Sequence, residues 1–312
     1  MFTPGPLHMN VCIVGCGALG GIFGAHLAMH ENVTVWAYDR NESHVRALNE
    51  NGLTLAGRKQ YRAVVHATID PSCIPPCDIG IVVTKFANTR EAIADTAHLL
   101  RNGIVCSMQN GVGNEEIMGE YVDRILSGTT MLGGHIVRPG SIDFDTDGTT
   151  WIGPASKQAT LEDARTLTDL LNDKGIESHA VPDPRGIKWS KLIFNSAANG
   201  LCALTGLTFG RMYQQPELRE LMYGIAREGI TVAKALGISL HSDPLDMLNK
   251  AALKAYDHAP SMLIDVRHLK PTEVGALNGG IVQFATRLQI PCPLNRTIVA
   301  LIGGLETSWE ID

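Results

Sequence analysis

The sequence predicts an α/β fold for the first part of the chain and an all-helical fold for the second. Three observations predict this arrangement. Apolar, strand-like segments alternate with helix-like segments through the first half of the 312 residues, as is typical of crossover units on a parallel sheet. A glycine-rich turn joins the first strand to the first helix. Beyond residue 184 the strand patterns cease, and apolar residues recur only at helical spacing.

The N-terminal domain is predicted to span residues 9–183, and residues 1–8 are expected to be an extension that precedes the fold. Strands are expected at residues 11–14, 33–38, 79–84 and 104–108, and helices at 19–29, 43–49 and 89–100. Between residues 129 and 152, short strand patterns alternate with the turns Pro139-Gly140 and Asp147-Gly148. This change of pattern predicts a more antiparallel edge.

The boundary between the domains is predicted at the cluster Val181-Pro182-Asp183-Pro184, whose prolines interrupt regular structure. The second domain, residues 184–312, is expected to be all-helical. Its helices are predicted at residues 187–204, 216–236, 244–255, 274–288 and near 295–305. We expect a cleft between the two domains.

Composition and charge exclude several classes of protein. The 26 basic and 32 acidic residues are interspersed and leave a formal net charge of −6, which argues against a nucleic-acid or membrane surface. No apolar run reaches the roughly 18 residues that a membrane span needs. Seven cysteines, an odd number, in so long a chain favour a reduced protein, and the N-terminus lacks a signal-peptide pattern. We therefore predict a cytoplasmic protein.

The sequence predicts no metal site. Cys73 and Cys77 flank a proline-rich loop, but no second pair of Cys or His residues completes a zinc site. His26 and His30 lie four residues apart on a predicted helix, without the intervening Glu of a metalloprotease motif. We therefore expect both histidines on the helix surface.

The glycine-rich turn reads Gly15-Cys16-Gly17-Ala18-Leu19-Gly20. Between a predicted strand and a predicted helix, G-x-G-x-x-G is typical of a Rossmann-type dinucleotide-binding domain. The first glycine permits the tight turn, the second lets the backbone approach the pyrophosphate, and the third allows close helix–strand packing. The helix N-terminus supplies amide donors and a partial positive charge. The alternative is a glycine-rich turn that binds no ligand.

Asp39 and Arg40 follow the second predicted strand and bear on the choice of dinucleotide. A carboxylate at this position accepts hydrogen bonds from the adenosine ribose hydroxyls and repels the 2′-phosphate of NADP. Arg40 could instead bind that phosphate through its planar fork. The pair favours NAD slightly and leaves the choice open, and an ordinary solvated turn is the alternative for both residues.

Lys191, Asn195 and Asn199 lie four residues apart, so they follow one face of a predicted helix. Their neighbours on that helix are overwhelmingly apolar. The stripe is either the solvent face of the helix or a polar line into a cleft, and Asn is a poor choice for an exposed helix interior. A desolvated lysine can have its pKa lowered toward the working pH, which suits a proton donor.

These motifs resemble those of the ketopantoate reductase family. The order and rough spacing of that family are matched by the glycine motif, Gln109-Asn110-Gly111, the Lys191 stripe, Ser261-Met262-Leu263 and Thr272-Glu273. The resemblance covers residues from 9 to about 305. The Lys-x-x-x-Asn-x-x-x-Asn helix, combined with the later Ser-Met-Leu and Thr-Glu, is more specific than the glycine motif, which many dehydrogenases share.

The resemblance implies a role for each matching residue in substrate binding and catalysis. Lys191 would be the proton donor to the substrate carbonyl. Asn195 and Asn199 would bind the substrate, and Ser261 would help to hold its carboxylate end. Asn110 would touch both the substrate and the cofactor.

The resemblance also implies a set of cofactor-binding residues. Lys85 would lie near the cofactor, and Glu273 would reach it at the nicotinamide ribose. From the residues alone, Glu273 follows Pro271 at a predicted helix start, where a carboxylate merely complements the helix dipole. The cofactor-binding set is Gly15, Cys16, Gly17, Ala18, Leu19, Gly20, Asp39, Arg40, Lys85, Asn110 and Glu273.

The activity that the resemblance implies is reduction of 2-dehydropantoate to pantoate by hydride transfer from NADPH, with NAD possible. Family members that use NADP usually carry Arg at the end of strand two, where this chain has Tyr38-Asp39-Arg40. The alternatives are a related NAD(P)-dependent reductase of another small 2-oxo or 3-hydroxy acid, and a dinucleotide-binding sensor without turnover. The expected partners are a small 2-oxo acid and a possible second copy in a homodimer, with no nucleic acid or membrane.

Overall fold

The computed structural model describes residues 8–254 and 256–309. Residues 1–7 of the expected extension at residues 1–8, and the expected helix end at residue 255, lie outside this description. Within it, the chain forms two compact units. Unit 1 comprises the residues up to Gln109 together with Asn114–Pro184, and unit 2 comprises Asn110–Gly113 and the residues from Arg185 onward. The short segment Asn110–Gly113 belongs to unit 2 because Val112 is buried in the core of its helices.

The strands of unit 1 form two sheets. They are β1 (Met9–Val14), β2 (Val33–Tyr38), β3 (Leu53–Gly57), β4 (Tyr61–Ala63), β5 (His66–Thr68), β6 (Ile79–Val82), β7 (Ile104–Ser107), β8 (Ile125–Thr130), β9 (Gly133–Arg138), β10 (Ser141–Thr146), β11 (Thr150–Pro154) and β12 (Ser178–Ala180). The larger, eight-stranded sheet has the order β12-β11-β8-β7-β6-β1-β2-β5. Only the β8–β11 pair in it is antiparallel, so the predicted α/β class is confirmed.

The second sheet has the order β4-β3-β10-β9, and the sequence analysis does not predict it. The strand patterns after residue 129 are confirmed, but β9 and β10 leave the main sheet, and β10 pairs in parallel with β3. Buried residues such as Leu53, Leu55, Ile142 and Phe144 give this sheet an apolar face. That face is what drives the strands to pack onto the rest of the unit.

The helices of unit 1 are α1 (Ala18–Leu27), α2 (Glu42–Asn51), α3 (Thr89–Leu100), α4 (Asn114–Met118) and α5 (Leu161–Asp173). Helix α1 contacts strands of both sheets, and all its residues from Gly20 to Leu27 are buried. A helix that is covered on every side carries no polar face. The glycine-rich turn is therefore held at the start of a helix that is itself fixed in the core.

The burial of α1 makes the prediction for His26 wrong, because this histidine lies in the core and not on the helix surface. Its ring packs edge-on against Tyr61 and Phe144 of the second sheet, and Nδ1 lies 2.7 Å from the carbonyl oxygen of Ile22. Burial lowers the pKa of His26. His30 lies beyond the end of α1, with Nε2 2.9 Å from the carbonyl oxygen of Leu170.

Within the described residues of unit 2, all the regular secondary structure is helical. Its helices are α6 (Arg185–Thr205), α7 (Phe209–Tyr213), α8 (Pro216–Ala235), α9 (Pro244–Lys254), α10 (Ser261–Arg267), α11 (Asn278–Arg287) and α12 (Pro293–Ser308). Helix α6 is the centre of the unit, since it packs against α7, α8, α9, α10 and α12. Its residues 186–204 include none that is exposed.

The cysteines and the lengths of the helices relate to the disulfide-bonded and membrane-spanning classes of protein considered above. All seven cysteines lie within the described residues, and each is a free thiol. Across residues 8–254 and 256–309, no helix combines the length and apolar character that crossing a membrane requires.

Candidate functional site

The glycine-rich turn after β1 is tightly packed at two of its glycines and open at the third. Gly15 has φ +92°, and its amide donates to the carbonyl oxygen of Tyr38 at 2.8 Å, which ties the turn to the end of β2. A Cβ on Gly20 would lie 2.1 Å from the carbonyl oxygen of Gly15. A Cβ on Gly17 would meet no heavy atom within 4 Å, and the φ of Gly17 is −68°. Neither packing nor backbone conformation therefore requires glycine at position 17.

The space at Gly17 fits the pyrophosphate of a dinucleotide. Gly17 is the N-cap of α1, so no side chain at that position competes for the first amides of the helix, and the first turn contains no acidic residue. Helix N-termini with unsatisfied amides attract phosphate groups. Ala18 and Leu19 remain partly exposed, whereas the Cys16 side chain is fully buried, so only the backbone of Cys16 could serve a ligand.

The other predicted cofactor residues of unit 1 follow the carboxyl ends of neighbouring parallel strands. Asp39 comes directly after β2, and Lys85 follows β6 at the start of a short 3₁₀ turn. Strand β1 lies between β2 and β6, and the chain leaves β1 toward β2, so the order of strands switches at β1. Ligands of open α/β sheets bind outside the carboxyl ends of the strands at such a switch point. Unit 1 thus presents the predicted set at one sheet edge.

Asp39 and Arg40 have different partners. The Oδ1 atom of Asp39 accepts from the amide of Asn41 at 2.9 Å. The guanidinium of Arg40 donates to Glu91 Oε2 at 2.7 Å and to Asp95 Oδ2 at 3.3 Å, and both acids lie on α3. Asp95 also accepts the phenolic hydrogen of Tyr38 at 2.7 Å. The two acids on α3 are not predicted from the sequence, because they follow Arg40 by about fifty residues, at separations of 51 and 55.

Two residues to which the sequence analysis assigns no role support the loops at this edge. His44 on α2 is 2% exposed; its Nε2 lies 2.9 Å from the carbonyl oxygen of Cys16, and Nδ1 accepts from the amide of Gly140 at 3.1 Å. Because Nδ1 accepts, the proton is on Nε2, which donates to Cys16. Gln109, two residues after β7, donates from Nε2 to the Thr84 carbonyl oxygen and to Thr89 Oγ1, both at 2.8 Å.

In unit 2, the predicted stripe lies on α6 and is not a solvent face. Lys191 and Asn195 are half-buried, and Asn199 is 5% exposed. The alternative of a solvent-exposed stripe is therefore wrong, because the whole middle of α6 is covered by its neighbours. Buried polar side chains must be hydrogen-bonded to offset their desolvation, so a polar line on a buried helix indicates a ligand or a polar network.

Lys191, Asn110 and Glu273 form a hydrogen-bonded chain within unit 2. Lys191 Nζ donates to Asn110 Oδ1 at 3.0 Å, and Asn110 Nδ2 donates to Glu273 Oε2 at 3.4 Å. Both partners require the same orientation of the Asn110 amide, with its oxygen toward Lys191 and its nitrogen toward Glu273. These residues are 81 and 163 positions apart, so only the fold brings them together.

The surroundings of Lys191 lower its pKa to about 8. Desolvation is the largest cause, since the ammonium form loses hydration on burial. The carboxylate of Glu273 acts in the opposite direction and raises the pKa, and the charge of Lys188 lowers it. Lys188 is itself buried, one turn before Lys191 on α6. This combination gives an amine that exchanges a proton near neutral pH.

Glu273 and Ser261 occupy different local structures. Helix α11 begins at Asn278, four residues later than predicted, because residues 274–277 form a turn whose amides at Ala276 and Leu277 bond to the carbonyl of Glu273. Glu273 is therefore not at a helix start, and the interpretation as a dipole-complementing residue is wrong. Ser261 is the exposed first residue of α10.

His135, Asp143 and Asp145 place their ligand atoms within 4.8 Å of one another on β9 and β10. His135 Nδ1 already lies 2.8 Å from Asp145 Oδ2, and both of those side chains are exposed. Surface acid–histidine pairs of this kind need no cation, so we assign no metal to the cluster.

Known proteins match the chain over both units. Residues 11–157 match the family described as ketopantoate reductase PanE/ApbA, and residues 183–306 match the C-terminal domain of that family. The chain is 32% identical over 300 residues to a 2-dehydropantoate 2-reductase of Archaeoglobus fulgidus, with 96% of this chain and 98% of that protein covered. A 2-dehydropantoate 2-reductase of Pyrococcus abyssi is 32% identical over 301 residues with the same coverage.

Solved structures show the same fold. A PanE/ApbA family ketopantoate reductase from Ralstonia eutropha superposes with a TM-score of 0.88 at 28% identity, covering 97% of this chain and 100% of that one. A D-mandelate dehydrogenase solved with NADH and anilino(oxo)acetate gives a TM-score of 0.87 at 23% identity, with 96% and 99% covered. At that identity the second structure supports the fold alone.

Proposed function

This chain belongs to the ketopantoate reductase family and is an oxidoreductase, and from that premise we propose that it reduces 2-dehydropantoate to pantoate with a reduced nicotinamide dinucleotide. The observation that carries the proposal is the half-buried Lys191, which is hydrogen-bonded to Asn110 and has a pKa of about 8. When bound, the reduced nicotinamide supplies a hydride to C2 of the 2-oxo acid. The carbonyl π electrons then move to the oxygen, which takes a proton from Nζ of Lys191.

Lys191 acts on the oxygen where negative charge develops. A cation held in place before the reaction stabilises the transition state more than the neutral carbonyl, which raises kcat and not only binding. Asn110 accepts one N–H of Lys191 and so holds Nζ in position. Glu273 fixes Asn110 from the other side and offsets part of the desolvation of the ammonium.

Asn195, Asn199 and Ser261 are proposed to bind the substrate. The amide groups of Asn195 and Asn199 continue the polar line that begins at Lys191 on α6. Amide N–H groups and a serine hydroxyl donate to carboxylate and hydroxyl oxygens, which are the polar groups of a small hydroxylated 2-oxo acid. These contacts orient an anion without adding a further positive charge.

The dinucleotide is proposed to bind unit 1 through the turn after β1. The backbone amides at Gly17, Ala18 and Leu19 would hold the pyrophosphate, with Asp39 at the adenosine ribose and Lys85 near the cofactor. Open space at Gly17 is the structural support for this assignment.

A panel of 2-oxo acids assayed with NADH and NADPH tests the proposed activity. We expect kcat/KM to be highest for 2-dehydropantoate, with smaller values for unbranched 2-oxo acids and for 2-oxo acids with aromatic side chains. A higher value for another acid would assign the chain to a related reductase. Dinucleotide binding without turnover of any acid would instead support a sensor.

The pH dependence of kcat/KM, which reports the free enzyme, is expected to follow the protonation of Lys191. Lys191 must be protonated to donate a proton. The rate of reduction should therefore be constant at pH values well below 8 and should fall as the pH rises through about 8. Glu273→Gln removes the charge that raises this pKa, so the alkaline limb should move to lower pH. Lys188→Gln removes the charge that lowers it, so the limb should move to higher pH. Steady-state kcat/KM from pH 6 to 10 measures both shifts.

The opposite signs of these two shifts provide the control. A variant that only perturbs packing would lower kcat/KM at every pH without moving the limb. If the alkaline limb of both variants lay at the same pH as that of the wild type, a group other than Lys191 would be responsible for the fall in rate. The reverse oxidation requires neutral Lys191 as the base, so its rate should rise over the same pH range.

His44→Ala is expected to weaken dinucleotide binding about tenfold while leaving kcat close to wild type. The change removes the donor to the Cys16 carbonyl and the acceptor of the Gly140 amide, so the turn after β1 loses its support from α2. Leaving such buried groups unpaired costs about 1–3 kcal/mol. Calorimetric titration with the dinucleotide measures the effect. His66→Ala, which removes an exposed histidine of β5, serves as the matched control; equal affinities in the two variants would contradict the role of His44.

A further inference from the structure

Three acidic residues, Asp39, Glu91 and Asp95, form a cluster with Arg40 at the carboxyl end of β2. Arg40 is the cation of this cluster, and its two terminal nitrogens donate to Glu91 at 2.7 Å and to Asp95 at 3.3 Å. The guanidinium group of Arg40, which could otherwise bind a phosphate, is therefore already paired with carboxylates of α3. Asp95 is held in turn by the Tyr38 hydroxyl at 2.7 Å, so the arrangement is anchored at both ends.

Asp39 lies beside the glycine-rich turn. The preceding residue, Tyr38, accepts the Gly15 amide at 2.8 Å, which joins the end of β2 to the turn directly. The charge of Asp39 also contributes, after burial, to raising the pKa of the Cys16 thiol in that turn. A dinucleotide whose pyrophosphate lies on the turn would bring its adenosine ribose to this strand end.

We propose that Asp39, with Arg40 withdrawn into pairs with Glu91 and Asp95, selects NADH over NADPH; the inference rests on the proposed function. Three carboxylates against one guanidinium leave this cluster with a net charge of −2 (−3 + 1). The 2′-phosphate of NADPH is a dianion at neutral pH and is repelled by that charge. The 2′- and 3′-hydroxyls of NADH are neutral donors that a carboxylate accepts. The structure thus departs from the NADPH preference that the family resemblance implies.

Direct binding of adenosine nucleotides tests the proposal without turnover. Calorimetric titration with 5′-AMP and adenosine 2′,5′-bisphosphate compares ligands that differ only in the 2′-phosphate. We expect the wild-type chain to bind 5′-AMP at least about tenfold more tightly, since close like charges in a partly buried site cost an affinity of this order. The ratio of kcat/KM for NADH and NADPH should change in the same direction.

The double variant Glu91→Gln/Asp95→Asn releases Arg40 and removes two of the repelling charges. We expect its affinity for the bisphosphate to rise about tenfold or more, with 5′-AMP affinity within about twofold of wild type. Glu42→Gln/Glu50→Gln is the matched control, because it removes two exposed acids of α2, whereas Arg40 pairs with acids of α3. Adding Arg40→Ala to the first double variant should reduce the gain, because the released guanidinium is lost while the two acids remain neutralised.

Three outcomes would overturn the proposal: wild-type binding of the bisphosphate as tight as that of 5′-AMP, an equal gain in the control variant, or no binding of either nucleotide. Failure of the proposed reaction is distinguishable from all of these. If the chain preferred 5′-AMP and NADH but did not reduce 2-dehydropantoate, the inferred cofactor preference would stand and only the proposed substrate would be wrong.

Discussion

Lys191→Ala is expected to lower kcat about 10²–10⁴-fold, the usual range for the loss of a general acid. The reason is the placement of Nζ, which is held by Asn110 and has its pKa lowered to about 8 by burial. Dinucleotide affinity should change little, because the proposed pyrophosphate and ribose contacts belong to unit 1. Steady-state kinetics for kcat and calorimetry for the dinucleotide Kd separate the two effects.

The other members of the stripe should behave differently. Asn195→Ala and Asn199→Ala are expected to raise KM for the 2-oxo acid more than they lower kcat, because a binding contact acts on both the ground state and the transition state. Lys191→Met is the matched control for packing, since its unbranched side chain fills most of the space of the lysine stem and lacks the amine. Turnover near the wild-type rate in either Lys191 variant would contradict the proton-donor role, whatever the effect on stability.

The parallel sheet of unit 1 could be predicted because its strands are local patterns. Each of β1, β2, β6 and β7 is a short apolar run bounded by a turn, and β2 spans the predicted residues 33–38. The second sheet could not be predicted in the same way. Its parallel pair joins Ser141 to Thr54, and nothing in either local sequence records so distant a partner. The burial of His26 follows from that same unpredicted sheet.

In the candidate site, too, the features that depend on local sequence could be predicted, and those that depend on distant contacts could not. The spacing on α6 predicts that Lys191, Asn195 and Asn199 share a face, and the glycine motif predicts a turn at a strand end, since both are local properties. The Lys191–Asn110–Glu273 chain depends on contacts between segments 81 and 163 residues apart, so only the family resemblance groups these residues. For Arg40 even the resemblance is insufficient, because its partners Glu91 and Asp95 lie on α3, about fifty residues further along the chain.

Gly17→Ser is expected to keep the fold and to weaken dinucleotide binding about 10- to 100-fold. Serine is a favoured N-cap residue, so its hydroxyl should accept from an amide of the first turn of α1 and leave stability equal to or above that of wild type. A Cβ there meets no atom within 4 Å, so nothing in the folded chain opposes it. The same atoms would occupy the space proposed for the pyrophosphate, and overpacking a close contact costs about 1–3 kcal/mol.

Gly20→Ala gives the opposite pattern and serves as the control. Its Cβ would lie 2.1 Å from the carbonyl oxygen of Gly15, a backbone atom that no side-chain rotation can move away. The cost should therefore appear in the free energy of unfolding, by about 1–3 kcal/mol or more, whether or not a dinucleotide is present. Denaturant unfolding and calorimetric titration on both variants separate a glycine needed by the fold from one needed by the ligand. If Gly17→Ser bound the dinucleotide as tightly as wild type, the pyrophosphate would have to lie elsewhere on unit 1, and the proposed placement of the ribose at Asp39 would fail with it.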